Sequence, residues 1–165
     1  MLLDLRERLT PADHQTHRRY RFQVPAECRQ LRLVVSYAPK WLPAEAAARL
    51  TAEARRRQAA GLAAHVGARL AEQWSADLAA DARDWPIPNL VTISLDDALG
   101  AYRGAGHRHA PRQDLVLGVA AASPGLVPGP LPPGAWTLTL SAHTLVSPQC
   151  DVSIQIGAET AASAP

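Results

Sequence analysis

"QLRLVVSY", Gln30 to Tyr37, puts Leu31, Leu33, Val35 and Tyr37 on one side of an extended chain. Successive side chains of a strand point to opposite faces, so this period of two reads as a strand with one face on a core. The same alternation recurs along the chain. "RRYRFQV" aligns Tyr20, Phe22 and Val24 and stops at Pro25, and "NLVTISL" aligns Val91, Ile93 and Leu95. "DLVLGV" aligns Leu115, Leu117 and Val119, "WTLTLSA" aligns Trp136, Leu138, Leu140 and Ala142, and "DVSIQI" aligns Val152, Ile154 and Ile156. The polar partners in these six segments are mostly Thr, Ser, Arg and Gln. That mixture suits antiparallel sheets with one dry and one wet face.

The connectors agree. "PGLVPGPLPPG", Pro124 to Gly134, holds five prolines and three glycines in eleven residues, so it cannot continue a ladder and reads as a loop of turns. One block departs from the pattern: from Pro43 to Arg83 the alternation disappears and Ala, Leu, Glu, Gln and Arg dominate. Leu62, Val66, Leu70, Trp74 and Leu78 recur every fourth residue, a drifting apolar stripe along a helix. Pro86 and Pro88 end the helical stretch, and Gly61 marks a place where it would break.

With 165 residues, 47% of them hydrophobic and 19% charged, the chain reads as one domain over residues 1–165. The expected fold is mainly β: an antiparallel two-sheet β-sandwich, jelly-roll-like, with a helical insertion over 43–83 between the second and third strands. That insertion is one long helix or two shorter ones. Residues 158–165, small and polar, read as a frayed tail.

The formal net charge of +2 is small beside the dense basic faces of dedicated nucleic-acid binders. Nucleic acid is therefore not the expected partner. No window approaches the run of about 20 apolar residues that a membrane span needs, and the N-terminus shows no export signal. A cytoplasmic protein without a membrane partner is the expectation. In that compartment Cys28 and Cys150 are expected as free thiols, although neighbouring first and last strands would let them meet.

Chemistry is suggested first by "AYRGAGHRHAP", Ala101 to Pro111. His107 and His109 invite a metal reading, but an open metal centre needs about three protein ligands and this stretch supplies two. A small metal-dependent hydrolase using His107, His109 and Asp97 is the enzyme alternative. Asp96 and Asp97 equally suit turn capping, where a carboxylate bonds its own backbone. Arg55 to Arg57 and "HRRYRF", His17 to Phe22, are the basic clusters, and a weak nucleic-acid-binding protein using Arg18, Arg19, Arg21 and Arg55 to Arg57 is the other alternative; Ser141 shares a strand face with His143. No nucleophile elbow and no phosphate-cradling glycine loop is present.

The series "HRRYRFQVP", "LRLVVSYAP", "NLVTISLDDALGAYRGAGHR" and "PGLVPGPLPPGAWTLTLSAH" resembles the β-sandwich region preceding the catalytic domain in bacterial PHP-type metallohydrolases of the CehA/McbA kind. The resemblance runs from His17 to Ile156, with the helical block as an interruption. It implies an accessory domain without the enzyme, because in that family the metal-binding histidines belong to the domain that follows. A PHP-type hydrolase would then be one partner. A non-catalytic binding or assembly module without a cofactor is the resulting expectation. Its candidate ligand residues are Tyr102, Arg103, His107 and Arg108, where Arg clamps an anion and Tyr stacks on a sugar or base. Leu62, Leu70, Trp74 and Leu78 are its candidate interface, in a homodimer or with another protein.

Overall fold

The computed structural model describes residues 1–80, 86–107 and 109–160, and of residues 75–80 the backbone alone. The chain divides into two compact units, one formed by Met1–Lys40 with Pro88–Pro165 and the other by Trp41–Ile87.

The first unit contains β1 (Leu3–Leu9), β2 (Thr16–Val24), β3 (Cys28–Ala38), β4 (Leu90–Asp96), β5 (Tyr102–Ala105), β6 (Arg112–Gly118), β7 (Gly134–Thr144) and β8 (Cys150–Thr160). They form two four-stranded sheets, ordered β1-β8-β3-β6 and β2-β7-β4-β5. Every pairing is antiparallel. The inward rows read from the sequence line the core: Leu31, Leu33, Val35 and Tyr37 of β3 share it with Ile93 and Leu95 of β4, Leu138 and Leu140 of β7, and Ile154 and Ile156 of β8. Trp136 is fully buried at its centre and donates its indole N–H to the Pro132 carbonyl at 2.8 Å. Side chains of this size contribute about 1.5–3 kcal/mol each when fully buried, so these rows hold the two sheets together.

Two strands escaped the sequence reading. In β1 the inward positions are Leu3, Leu5, Glu7 and Leu9, and Glu7 interrupts the apolar row. The carboxylate tolerates that place because Arg18 and Tyr20 of β2 both donate to it, at 2.5 and 2.8 Å. Arg18 also bonds Asp13, whose carboxylate accepts the Thr10 N–H at 2.8 Å. β5, only four residues long, carries too little pattern to be separated from the turn before it. As a result the helices follow the third strand of the fold, not the second. β8 also runs to Thr160, so Ala158 to Thr160 are paired strand rather than tail. The rest of that expected tail, 161–165, lies outside the described residues.

The second unit holds α1 (Ala44–Val66) and α2 (Ala68–Ala80). The break falls at Gly67, whose φ of 85° closes α1 in a conformation that residues with a Cβ seldom adopt, and not at Gly61. Gly61 stays within α1, where helix propensity outweighs its cost of about 1 kcal/mol. The break divides the apolar stripe, leaving Leu62 and Val66 on α1 and Leu70 and Trp74 on α2. Among the described residues no helix is long and apolar enough to cross a membrane.

Candidate functional site

The glycine-rich stretch after β4 is an internally satisfied piece of architecture. Asp97 opens the β4–β5 turn by accepting the N–H groups of Leu99 and Ala101 through one oxygen, at 2.9 and 3.0 Å. Its other oxygen lies 3.4 Å from the Arg103 guanidinium. Arg103 is only 5% exposed. It donates to the carbonyls of Val127, Gly129 and Pro130 at 2.7–3.3 Å, and its guanidinium carbon lies 5.3 Å from the Trp136 ring centre. The expected anion clamp at Arg103 is thereby overturned, because its donors are spent fastening the proline-rich loop to the sandwich. Tyr102, one residue earlier, points the opposite way and is 60% exposed.

The glycines explain the rest of the stretch. Gly104, with φ of 102°, lies so close to the proline-rich loop that a Cβ there would meet the Gly125 carbonyl oxygen at 2.1 Å. Gly125 would in turn meet the Ala105 oxygen at 2.4 Å, and the Ala105 N–H donates to the Gly125 carbonyl at 2.9 Å. Gln113, which the sequence did not single out, ties down the next turn. Its amide oxygen accepts the His107 N–H at 2.6 Å, and its amide nitrogen donates to His107 and Ala110 carbonyls at 3.0 and 3.1 Å.

His107 and His109 do come together, with ring centres 5.7 Å apart beside a shallow groove of about 470 Å3 lined by Ala105, Gly106, Pro124 and Gly125. The His107 Nδ1 accepts the His109 N–H at 3.3 Å. Asp97 does not join them. The Gly106 N–H bonds Ile93 at one end of the β4–β5 hairpin while Asp97 bonds Ala101 at the other, four residues or about 13 Å along β4. The trio His107, His109 and Asp97 of the enzyme alternative is therefore not assembled. Among the described residues no group of three His, Cys, Asp or Glu side chains is placed to hold a metal. Arg108 lies outside the described residues.

The thiols are settled by register. Cys28 sits opposite Thr160 and Cys150 opposite Leu9, so they occupy opposite ends of β8, ten residues or about 33 Å apart. A disulfide needs Cα atoms within about 7 Å, and both cysteines are free. Burial pushes the Cys150 thiol up to about 11, and burial raises Cys28 as well.

What the tertiary structure does assemble is the outer face of the β2-β7-β4-β5 sheet. Arg21 stands in line with Thr137, Asp96 and Tyr102, and Arg19 with Thr139, Ser94 and Ala105. A third row holds His17, Ser141 and Thr92. The His17 Nδ1 lies 2.8 Å from the Ser141 hydroxyl, and the His143 Nε2 lies 2.7 Å from the Thr92 hydroxyl. Three separate features of the sequence thus meet on one surface: the "HRRYRF" cluster, the Ser141–His143 pair and Tyr102. No linear signal could have joined them, because each strand holds only one column of the surface.

In the second unit, Leu70 and Trp74 of the proposed interface are 39% and 44% exposed, and Leu62 is half-buried. The Leu78 side chain lies outside the described residues. The Arg55–Arg57 cluster is exposed, and Arg57 pairs with Glu53 one turn away at 2.5 Å.

No protein-family model matches the chain, and no curated protein matches it. Among solved structures the chain is similar to GEBA250068378 from Sulfurospirillum deleyianum, with a TM-score of 0.32 and 11% identity over 94% of this chain and 98% of that one. A likeness of that size supports no statement about function.

Proposed function

We propose that this chain is a jelly-roll β-sandwich acting as a non-catalytic binding module, with its ligand face on the outside of the β2-β7-β4-β5 sheet. The strand orders β1-β8-β3-β6 and β2-β7-β4-β5 support the jelly-roll reading, since successive strands, apart from the β4–β5 hairpin, cross between the sheets as two nested Greek keys require. One observation carries the functional reading. The outer face combines exposed arginines and a Tyr102 ring with rows of Thr and Ser hydroxyls, which both donate and accept hydrogen bonds. Such a surface suits a polyhydroxylated ligand: a glycan presents hydroxyls to the ladder and an apolar ring face to the tyrosine.

The test is affinity electrophoresis of the full chain through gels containing, in turn, neutral and acidic polysaccharides. Retardation by at least one of them, lost in Tyr102→Ala with the circular dichroism spectrum unchanged, is the expected result. Unretarded migration in every gel would refute the module.

A second reading is self-association through the helical unit, supported by the exposed Leu70 and Trp74. It predicts a dimer in sedimentation equilibrium that Trp74→Ser dissociates; a monomer at high concentration would remove it.

A further inference from the structure

The two outer faces of the sandwich differ in how many carboxylates stand among their arginines: exposed Asp4, Asp114, Asp151 and Glu159 share the β1-β8-β3-β6 face, where Arg6 is an exposed arginine without an ion pair among the described residues. On the β1-β8-β3-β6 sheet, Arg8 pairs with Asp151 at 3.0 Å, Arg32 grips Asp114 with two bonds at 2.9 and 2.5 Å, and Gln30 reaches Glu159 at 2.9 Å. On the β2-β7-β4-β5 sheet, Arg19 and Arg21 are exposed and neither makes an ion pair or side-chain hydrogen bond among the described residues. Asp96 is the one carboxylate among the outward positions of these four strands, two strands away from Arg21. The arginines lie two residues apart on one strand, about 7 Å, and the row from Arg21 to Tyr102 crosses three strand spacings, about 14 Å.

We propose that this face binds an acidic polysaccharide, with Arg19 and Arg21 taking successive acid groups, the Thr137, Thr139 and Ser94 hydroxyls taking sugar hydroxyls, and Tyr102 stacking on a ring at the far edge. The inference rests on the binding-module reading and names its ligand class. Charge complementarity selects the occupant. A neutral chain lying over this face would strip water from two guanidinium groups and return no anion, which is unfavourable. Carboxylates and sulfates match the guanidinium fork with charge-assisted bonds. Single-stranded nucleic acid is disfavoured because its binders stack successive bases on several aromatic rings, and this face offers Tyr102, with the His17 and His143 rings held by the Ser141 and Thr92 hydroxyls. A protein partner would want an apolar centre, whereas the centre here is Thr and Ser.

The experiment compares retention of the full chain on immobilised polygalacturonate, dextran and single-stranded DNA at low and high salt. Polygalacturonate is expected to retain the protein, more weakly as salt rises. Arg19→Ala and Arg21→Ala are each expected to weaken retention about tenfold, the effect of losing one charge-assisted contact. Arg6→Ala, an exposed arginine on the other sheet, is the control and leaves retention unchanged. Neither Arg19 nor Arg21 holds the fold, so both variants should keep the parent melting temperature. Equal retention on dextran and polygalacturonate would overturn the acidic specificity while leaving the binding module standing. Preferential retention on DNA, or indifference to both arginine substitutions, would also overturn it. Absence of retention on both polysaccharides would overturn both readings.

Discussion

Replacing Arg103 by Met separates a ligand clamp from a structural staple. Arg103 is 5% exposed, and its guanidinium serves three backbone carbonyls, the Asp97 carboxylate and the Trp136 ring. Methionine fills much of the volume but donates nothing, so Val127, Gly129 and Pro130 lose a donor and Asp97 loses its counter-charge. A buried polar group left unsatisfied costs about 1–3 kcal/mol, and breaking a buried ion pair costs about 3–5 kcal/mol. These terms overlap, and Asp97 keeps two backbone N–H donors, so the net loss is taken as about 4 kcal/mol. For a chain of this length that corresponds to a fall of about 8–16 °C in melting temperature. Urea unfolding followed by the circular dichroism of the sheets measures it directly. Arg103→Lys should recover only part of the loss, because an ammonium lacks the planar fork that reaches several carbonyls. In Asp97→Asn/Arg103→Met the second substitution should do less harm than it does alone, since the stranded charge is gone. A loss below about 1 kcal/mol in Arg103→Met would refute the staple, because that is the worth of an ordinary hydrogen bond.

Gly104→Ala and Gly125→Ala each drive a methyl into backbone at a positive φ, so each should lower stability by at least about 3 kcal/mol by thermal melting, whereas Gly61→Ala, with open space around it, should be neutral or stabilising. In the native protein at pH 8 both thiols should resist an aromatic disulfide reagent and react fully only after denaturation; rapid native labelling of Cys150 would contradict its burial. Because the Cys150 thiol is raised to about 11, the unfolded chain ionises first, and stability should decline as pH rises from about 9 through about 11, a slope that Cys150→Ala flattens. Asp13 moves the opposite way: the Thr10 N–H, with Arg18 beside it, holds its carboxyl below the ordinary 3.8. Its contribution is present above that value and disappears as the pH falls through the lower native one, so Asp13→Asn should lower the melting temperature at pH 6, and by progressively less as the pH falls below 3.8.

The sandwich was legible where burial is one-sided and uninterrupted. Leu31, Leu33, Val35 and Tyr37 need only the two-residue period of an extended chain to reveal a strand, and the same holds for Leu138 and Leu140 or Ile154 and Ile156. Pattern reading failed where an inward position is polar and satisfied from another strand, as Glu7 is by Arg18 and Tyr20. It failed again at Arg103, whose type suggests a ligand and whose neighbours make it a staple. Charge and residue type do not report burial, and burial here is created by a loop more than twenty residues away.

Alternation along the chain, which depends only on the geometry of an extended backbone, determined that this is an antiparallel β protein with a helical block, and glycine and proline marked its turns. The order of the strands, the burial of Arg103, the distance between Cys28 and Cys150 and the gathering of Arg19, Arg21, Ser94, Thr137 and Tyr102 on one face were decided by tertiary structure alone. The physical reason is that a sheet surface is built across strands: neighbours on it are set by hydrogen-bond register between distant segments, and no periodicity within a single segment encodes that register.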